Sequence, residues 1–282
     1  MSTGNLELRA SSIGKLCTTR RSFDQVEYST ALTKLKVKVE KNPDQIFNIN
    51  RLQDYSEMRG MITDAKKMLQ LEENKMLVEL DPLPDGAKTH LEELWLKKNV
   101  KFQDFSLKDD SIQLIKGNES EDAAIALLAS KLGIALTKNT RRAVKGVLSG
   151  ECDVEYVNTV RDTKCPLLWK QFRAKQGVAG DYYWQLIAYC HLFEKREAWL
   201  DYVLMPMPIV LLNRYTAMFS DREKALFIEE QKIINKLPAR YRVKSYQIDS
   251  NIENEIRFML SRIEKAKVYY DSLTYEKCMK MF

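Results

Sequence analysis

Histidine is nearly absent from the 282 residues: His90 and His191 are the two present, far apart and in unrelated contexts. That excludes an HExxH zinc site and any histidine-rich nuclease pattern. Cysteine is sparse as well. Cys17, Cys152, Cys165, Cys190 and Cys278 are odd in number and form no CxxC pair, which argues against a disulfide framework and against a thiolate-held zinc or iron–sulfur cluster. They read as reduced thiols. No apolar run is long enough to span a bilayer, and the opening "MSTGNLELRASS" lacks the charged and then hydrophobic blocks of a secretory leader, so the expectation is a cytoplasmic protein without membrane contact. Nucleotide-binding loops are missing too. The pair Gly14-Lys15 has no glycine five residues before it, no GxGxxG follows a strand pattern, and no GxSxG elbow occurs. ATP hydrolysis, dinucleotide chemistry and serine acyl transfer therefore lack their parts.

What remains is a chain of 45% hydrophobic and 30% charged residues, enough to bury one sizeable core or a core with an appended subdomain. The net charge of +6 is modest for this length and leans only slightly toward a polyanionic partner. A short polar entry is followed by helix-period, lysine-rich sequence from about Tyr28 to Trp95, with breaks at "NPDQ" and "DPLPDG". Residues 27–115 thus look like a mostly helical insertion or subdomain. After Gly117, "NESEDAAIALLASKLG" sets Ala124, Leu127, Leu128 and Leu132 on one helical face and offers Gly133 as C-cap. Two β-type runs come next, then a buried helix "DYYWQLIAYCHLF", a strand "EAWLDYVLMPMP", and a mainly helical remainder from Asp221 to Phe282. Helix, antiparallel strands, helix and strand in that order predict an α/β fold around a mixed sheet.

The two β-type runs, "GECDVEYVNTVRDTKCP", carry charges that a half-buried sheet normally avoids. Side chains two apart share a face of a strand, so Asp162 and Lys164 point one way while Arg161, Thr163 and Cys165 point the other. A turn near Val157 to Thr159 would bring Asp153 back to the same end of the sheet. Two carboxylates placed together repel unless a cation lies between them, and hard divalent ions such as magnesium prefer that oxygen-rich setting. A neighbouring lysine can hold a water or neutralise a phosphate oxygen. The same acid-x-Lys spacing occurs at Asp64-Ala65-Lys66, Glu73-Asn74-Lys75 and Glu230-Gln231-Lys232, but in helix-period sequence with no hairpin before it, where a solvated surface pair is the expectation.

Asp153 followed by Asp162-Thr163-Lys164 resembles the PD-(D/E)xK nuclease motif, and the wider pattern is similar to phage recombination exonucleases of the lambda exonuclease and YqaJ type. Three segments extend the likeness, which spans about residues 7–17 and 115–208. "GNESED" has Glu121 where the family carries a metal-holding glutamate, "DYYWQLIAY" has Gln185 where it carries a tyrosine-and-glutamine motif, and "LRASSIGKL" matches its Ala-Ser segment. Cys152 stands where the motif has proline, and Asp162 where many relatives have glutamate; no arginine falls at the family's phosphate-binding position, Arg9 lying nearer the serines.

The resemblance implies a single restriction-endonuclease-like domain over residues 1–282, a mixed β-sheet flanked by helices, with the insertion at 27–115. It implies hydrolysis of double-stranded DNA from 5′ ends with Mg2+, or Mn2+ as a substitute, held by Glu121, Asp153, Asp162 and the Thr163 carbonyl. Lys164 would orient or activate the attacking water, Gln185 would support the site, and Ser11 or Ser12 would contact the 5′-phosphate. A single-strand annealing protein as partner, a ring-shaped trimer and, for a phage-encoded chain, the host cytoplasm are further implications. The alternatives are an endonuclease of the same fold, a RecB-like nuclease module, or a DNA-binding protein that does not cleave. Arg240, Arg242 and Lys244 are candidates for a phosphate track.

Overall fold

The protein is described from a computed structural model covering residues 5–17, 25–41, 60, 63–72, 82–101 and 111–279. It divides into two compact units, Thr19–Leu83 and Met1–Thr18 with Pro84–Phe282. The break expected at "NPDQ" lies outside the described residues. In the smaller unit run helices α2 (Gln25–Lys41) and α3 (63–72), the latter burying Met68 and Leu71.

The larger unit opens with β1 (Leu8–Arg9), a tight turn at Ala10–Ser12 and α1 (Gly14–Cys17). It resumes with α4 (Asp85–Asn99), α5 (Ile112–Leu132), β2 (Ala143–Lys145) and β3 (Leu148–Gly150). Next come β4 (Val154–Tyr156), β5 (Thr159–Lys164), α6 (Trp169–Ala174), α7 (Gly180–Phe193) and β6 (Glu197–Val203). The order ends α8 (Ile209–Tyr215), α9 (Asp221–Lys236), α10 (Ala239–Arg242), β7 (Val243–Gln247), α11 (Ile252–Asp271) and α12 (Tyr275–Met279). No helix among the described residues is long and apolar enough to cross a membrane.

The main sheet runs β4-β5-β6-β7, antiparallel, parallel and antiparallel in turn, the mixed sheet expected from the order of elements. A smaller sheet pairs β1 parallel with β3, which is antiparallel to β2. Helix α5 covers one face of the main sheet: Ala124 and Leu128 pack with Cys165, Val203, Met205 and Val243. Helix α7 covers the other, reaching Asp162 through Gln185. The strands between them are therefore buried on both faces, which is why β5 reads as Val160 to Thr163 all buried.

Alternation along β5 explains its charges. Arg161 points to the α5 side, where it pairs with Asp201 of β6 at 3.4 Å and lies over the Trp199 ring at 4.9 Å; a buried charge persists there because it is paired. Asp162 and Lys164 point to the α7 side. The connection from β4 to β5 is Val157–Asn158, with Thr159 already in the strand. Val157 has φ +44°, a conformation that a β-branched residue adopts only at a cost of about 1–2 kcal/mol. Lys195 holds that tip by donating to the Val157 carbonyl at 2.8 Å, while the Asn158 carbonyl accepts from the Arg196 and Glu197 amides at 3.2 Å.

Three expectations change. Helix α5 begins at Ser111, whose hydroxyl accepts from the Leu114 amide, so Gly117 lies inside it; Gly133, at φ +69°, caps its end as expected. The Asp221–Phe282 segment contains a strand, β7, because Val243 and Ser245 alternate with Lys244 and Tyr246 along the exposed edge of β6. Two members of the suggested phosphate track are also engaged within the fold. Arg242 is buried and donates to the Leu204 carbonyl at 2.9 Å, and Lys244 donates to the carbonyls of Phe172, Arg173 and Lys175. Both cations are engaged by backbone oxygens.

Candidate active site

Asp153 precedes β4, and the pairing of Val154 with Arg161 sets it across from Asp162. Its Oδ2 accepts from the Thr163 amide at 2.5 Å, while its own carbonyl accepts from the Asn139 amide at 2.8 Å. Asn139 also donates its side-chain amide to the Cys152 carbonyl at 2.9 Å. Cys152, which replaces a proline of the motif, is thus a buried packing residue, its thiol pushed up to about 12 chiefly by burial.

Asp162 is 1% exposed. Lys164 Nζ lies 2.6 Å from its Oδ2 as an ion pair, and Gln185 Nε2 donates to its Oδ1 at 3.5 Å and to the Tyr189 hydroxyl at 2.7 Å. Burial and the neighbouring Asp162 charge push the Asp153 carboxyl up to about 8, against the pull of Lys164 and the Thr163 amide. Burial alone would lower Lys164, but the charges of Asp162 and Asp153 outweigh it and hold the ammonium above the ordinary lysine value. At neutral pH Asp153 therefore holds its proton in the metal-free site, beside the Lys164 ammonium.

Asp153, Lys164 and Gln185 open on a cavity of about 740 Å³ whose walls also include Ser11, Glu121 and Thr163, with Asp162 buried behind it. Five segments expected to share a site therefore line one space. Glu121, from α5, stands on the wall paired with Lys138 at 3.2 Å rather than with the Asp153–Asp162 pair. The two serines separate: Ser11 lines this cavity, while Ser12 donates to the Arg9 carbonyl at 2.9 Å and lines a different one. Of the α7 aromatics, Trp184 is in the core against Phe258, whereas Tyr182 lines the cavity with Lys164 5.3 Å from its ring centroid.

Sequence reasoning missed three supporting groups. Tyr189 fixes the Gln185 amide and lies four residues on, the spacing that puts two side chains on one helical face. Lys138 holds Glu121. Lys116, 1% exposed, donates to the carbonyls of Pro166 and Leu167, both at 2.9 Å, tying α5 to the turn just after Lys164. Its signal is a lysine in step with Ser120, Ala124 and Leu128 on the buried face of α5.

The donor set suits a hard cation. Among the described residues no three acidic, imidazole or thiol groups converge on one point, but magnesium commonly takes only one or two carboxylates and fills its shell with water and phosphate oxygens. Asp153 and Asp162 meet that need, and a divalent ion would relieve the repulsion that raises Asp153. Cys165 lines the cavity too, but burial pushes its thiol up to about 12, so it offers no thiolate to a softer metal.

No protein-family model matches the chain, nor does the sequence of any curated protein. Solved structures do. A phage-related exonuclease from Haemophilus somnus 129PT superposes with a TM-score of 0.62 at 23% identity, covering 97% of both chains. An alkaline exonuclease, LHK-Exo, from Laribacter hongkongensis, also solved in complex with dAMP, matches at 16% identity and a TM-score of 0.40, over 71% of this chain and 88% of its own. The protein is thus similar in fold, across nearly its whole length, to the phage-related exonuclease.

Proposed function

We propose that the protein is a metal-dependent deoxyribonuclease that hydrolyses double-stranded DNA from 5′ ends. One observation carries this reading: Asp153 and Lys164 meet on the wall of an open cavity, with Asp162 buried beside them 2.6 Å from Lys164. The similar phage-related exonuclease supports it at the level of fold.

Asp153 and Asp162, with the Thr163 carbonyl and Glu121, are the residues that would hold Mg2+ or Mn2+, which when bound neutralises phosphate charge and makes a water more acidic. Gln185, fixed by Tyr189, steadies the Asp162 carboxylate beside Lys164. Lys164, held as an ammonium, donates to the attacking water or to a phosphate oxygen and so stabilises charge that grows in the transition state. Ser11 receives the 5′-phosphate. In-line attack on phosphorus breaks the bond to the 3′-oxygen and leaves a 5′-phosphate and a 3′-hydroxyl.

By its resemblance to phage recombination exonucleases, the enzyme works with a single-strand annealing protein and assembles as a ring-shaped trimer. Substrate form tests the reading. With magnesium, linear 5′-phosphorylated duplex should be degraded to mononucleotides while closed circular duplex survives. Nicking of the circle would make the enzyme an endonuclease of the same fold, and binding of either DNA without hydrolysis would make it a non-cleaving DNA-binding protein.

A further inference from the structure

A second cavity, of about 580 Å³, opens beside the Ala10–Ser12 turn: Ser11 lines the catalytic cavity, and the next residue, Ser12, lines this one. Its walls carry Arg9, Lys97, Lys98 and Arg142 against a single carboxylate, Glu7. Glu7 is already engaged, accepting from Lys98 Nζ at 2.8 Å. Arg142 donates to Ser149 Oγ at 2.9 Å, which turns the guanidinium along the wall. Like charges gathered this way repel, and an anion is what relieves them.

His90, also on the wall, is held neutral. The Lys15 ammonium lies 3.3 Å from its Nδ1, closer than the Glu93 carboxylate at 3.9 Å. An ammonium can only donate, so Nδ1 accepts and the ring proton sits on Nε2. That Nε2 is buried with no hydrogen-bond partner among the described residues. Burial, with Lys15 and Lys97 nearby, pushes the imidazole down and keeps it neutral. The cavity therefore offers guanidinium forks, ammonium groups and a hydroxyl over a neutral imidazole, the donor set that takes phosphate oxygens.

We infer that this cavity binds internal phosphates of the DNA strand whose end lies in the catalytic cavity, the strand crossing the Ser11–Ser12 turn. The inference rests on the nuclease reading for its ligand, but its test needs no hydrolysis. Affinity for a linear duplex is measured in EDTA over a range of salt concentrations, for the parent, Lys97→Ala/Arg142→Ala, Glu7→Gln and, as a surface control on α9, Lys232→Ala. The double variant should bind at least about tenfold more weakly at low salt. Its slope of log affinity against log salt should fall by about two, one for each phosphate that a removed cation no longer neutralises.

Glu7→Gln should bind severalfold more tightly, because it removes the one carboxylate on the cavity wall and leaves the Lys98 charge unneutralised, a gain that misfolding cannot produce. The control should match the parent. An unchanged slope in the double variant, or no gain in Glu7→Gln, overturns the inference even if the parent degrades DNA. A parent that binds with these responses yet never hydrolyses DNA with magnesium sinks the nuclease reading and leaves this site standing.

Discussion

Burial and the Asp162 charge make Asp153 hold its proton up to about pH 8, well above an ordinary aspartate. The sign of the consequence follows from linkage. Between about pH 4 and 8 the folded protein binds more protons at Asp153 than the unfolded chain does, so the metal-free protein loses stability as pH rises through that window. Thermal melts in EDTA should therefore show Tm falling from pH 5 to 8, and Asp153→Asn should flatten that fall by about 2 kcal/mol or more. An Asp153→Asn variant with the parent's pH slope would contradict the assignment. Lys164 lies at the other pole. Held protonated beside its two acids, it would act, in the proposed reaction, on charge that develops in the transition state, so Lys164→Ala should lower kcat by about 10²-fold or more while DNA affinity changes little. A loss of affinity equal to the loss of rate would instead make it a simple phosphate ligand.

At the level of elements, what was legible is what has a strong period. The hairpin of β4 and β5, the helix over Gly180–Phe193 and the strand from Glu197 follow from alternation and apolar runs. Two-residue β1 and three-residue β2 and β3 are too short to carry a period, and β7 alternates polar with apolar residues weakly enough to pass for helix. The start of α5 was obscured because Gly117 looks like a boundary, whereas the real signal is the Ser111 cap. Most of the site itself was readable as residue types, but not its supports: that Lys138 takes Glu121 and that Lys116 anchors Pro166 are long-range interactions with no local trace.

Gly150 of β3 shows how those elements lock together. A Cβ there would lie 2.8 Å from Ala10 Cβ and 3.0 Å from both Leu192 Cδ1 and Tyr189 Cε1. Gly150→Ala should cost about 1–3 kcal/mol of stability by overpacking, seen as a Tm several degrees lower. It should also reduce kcat, since Tyr189 cannot give way without disturbing Gln185. An unchanged melt would mean that the packing of the Ala10–Ser12 turn and β3 on α7 is looser than these distances require.

Across the whole molecule, net charge says little about where basic side chains gather. Arg242 and Lys244 looked available in sequence yet serve backbone carbonyls, while Arg9, Lys97 and Arg142, scattered along the chain, come together around one cavity only when the fold is made. The larger unit therefore has two faces of opposite character joined at one turn: an acidic, cation-seeking pair beside Lys164, and a basic, anion-seeking cavity next to it. DNA with divalent ions, as proposed, would answer both.

The most direct test of the central claim is nucleotide release from a linear 5′-phosphorylated duplex by the parent and by Asp162→Asn, each with magnesium and with EDTA. The account predicts release by the parent with magnesium and a rate at least about 10²-fold lower in the other three cases. Equal release in EDTA, or by Asp162→Asn, would contradict it.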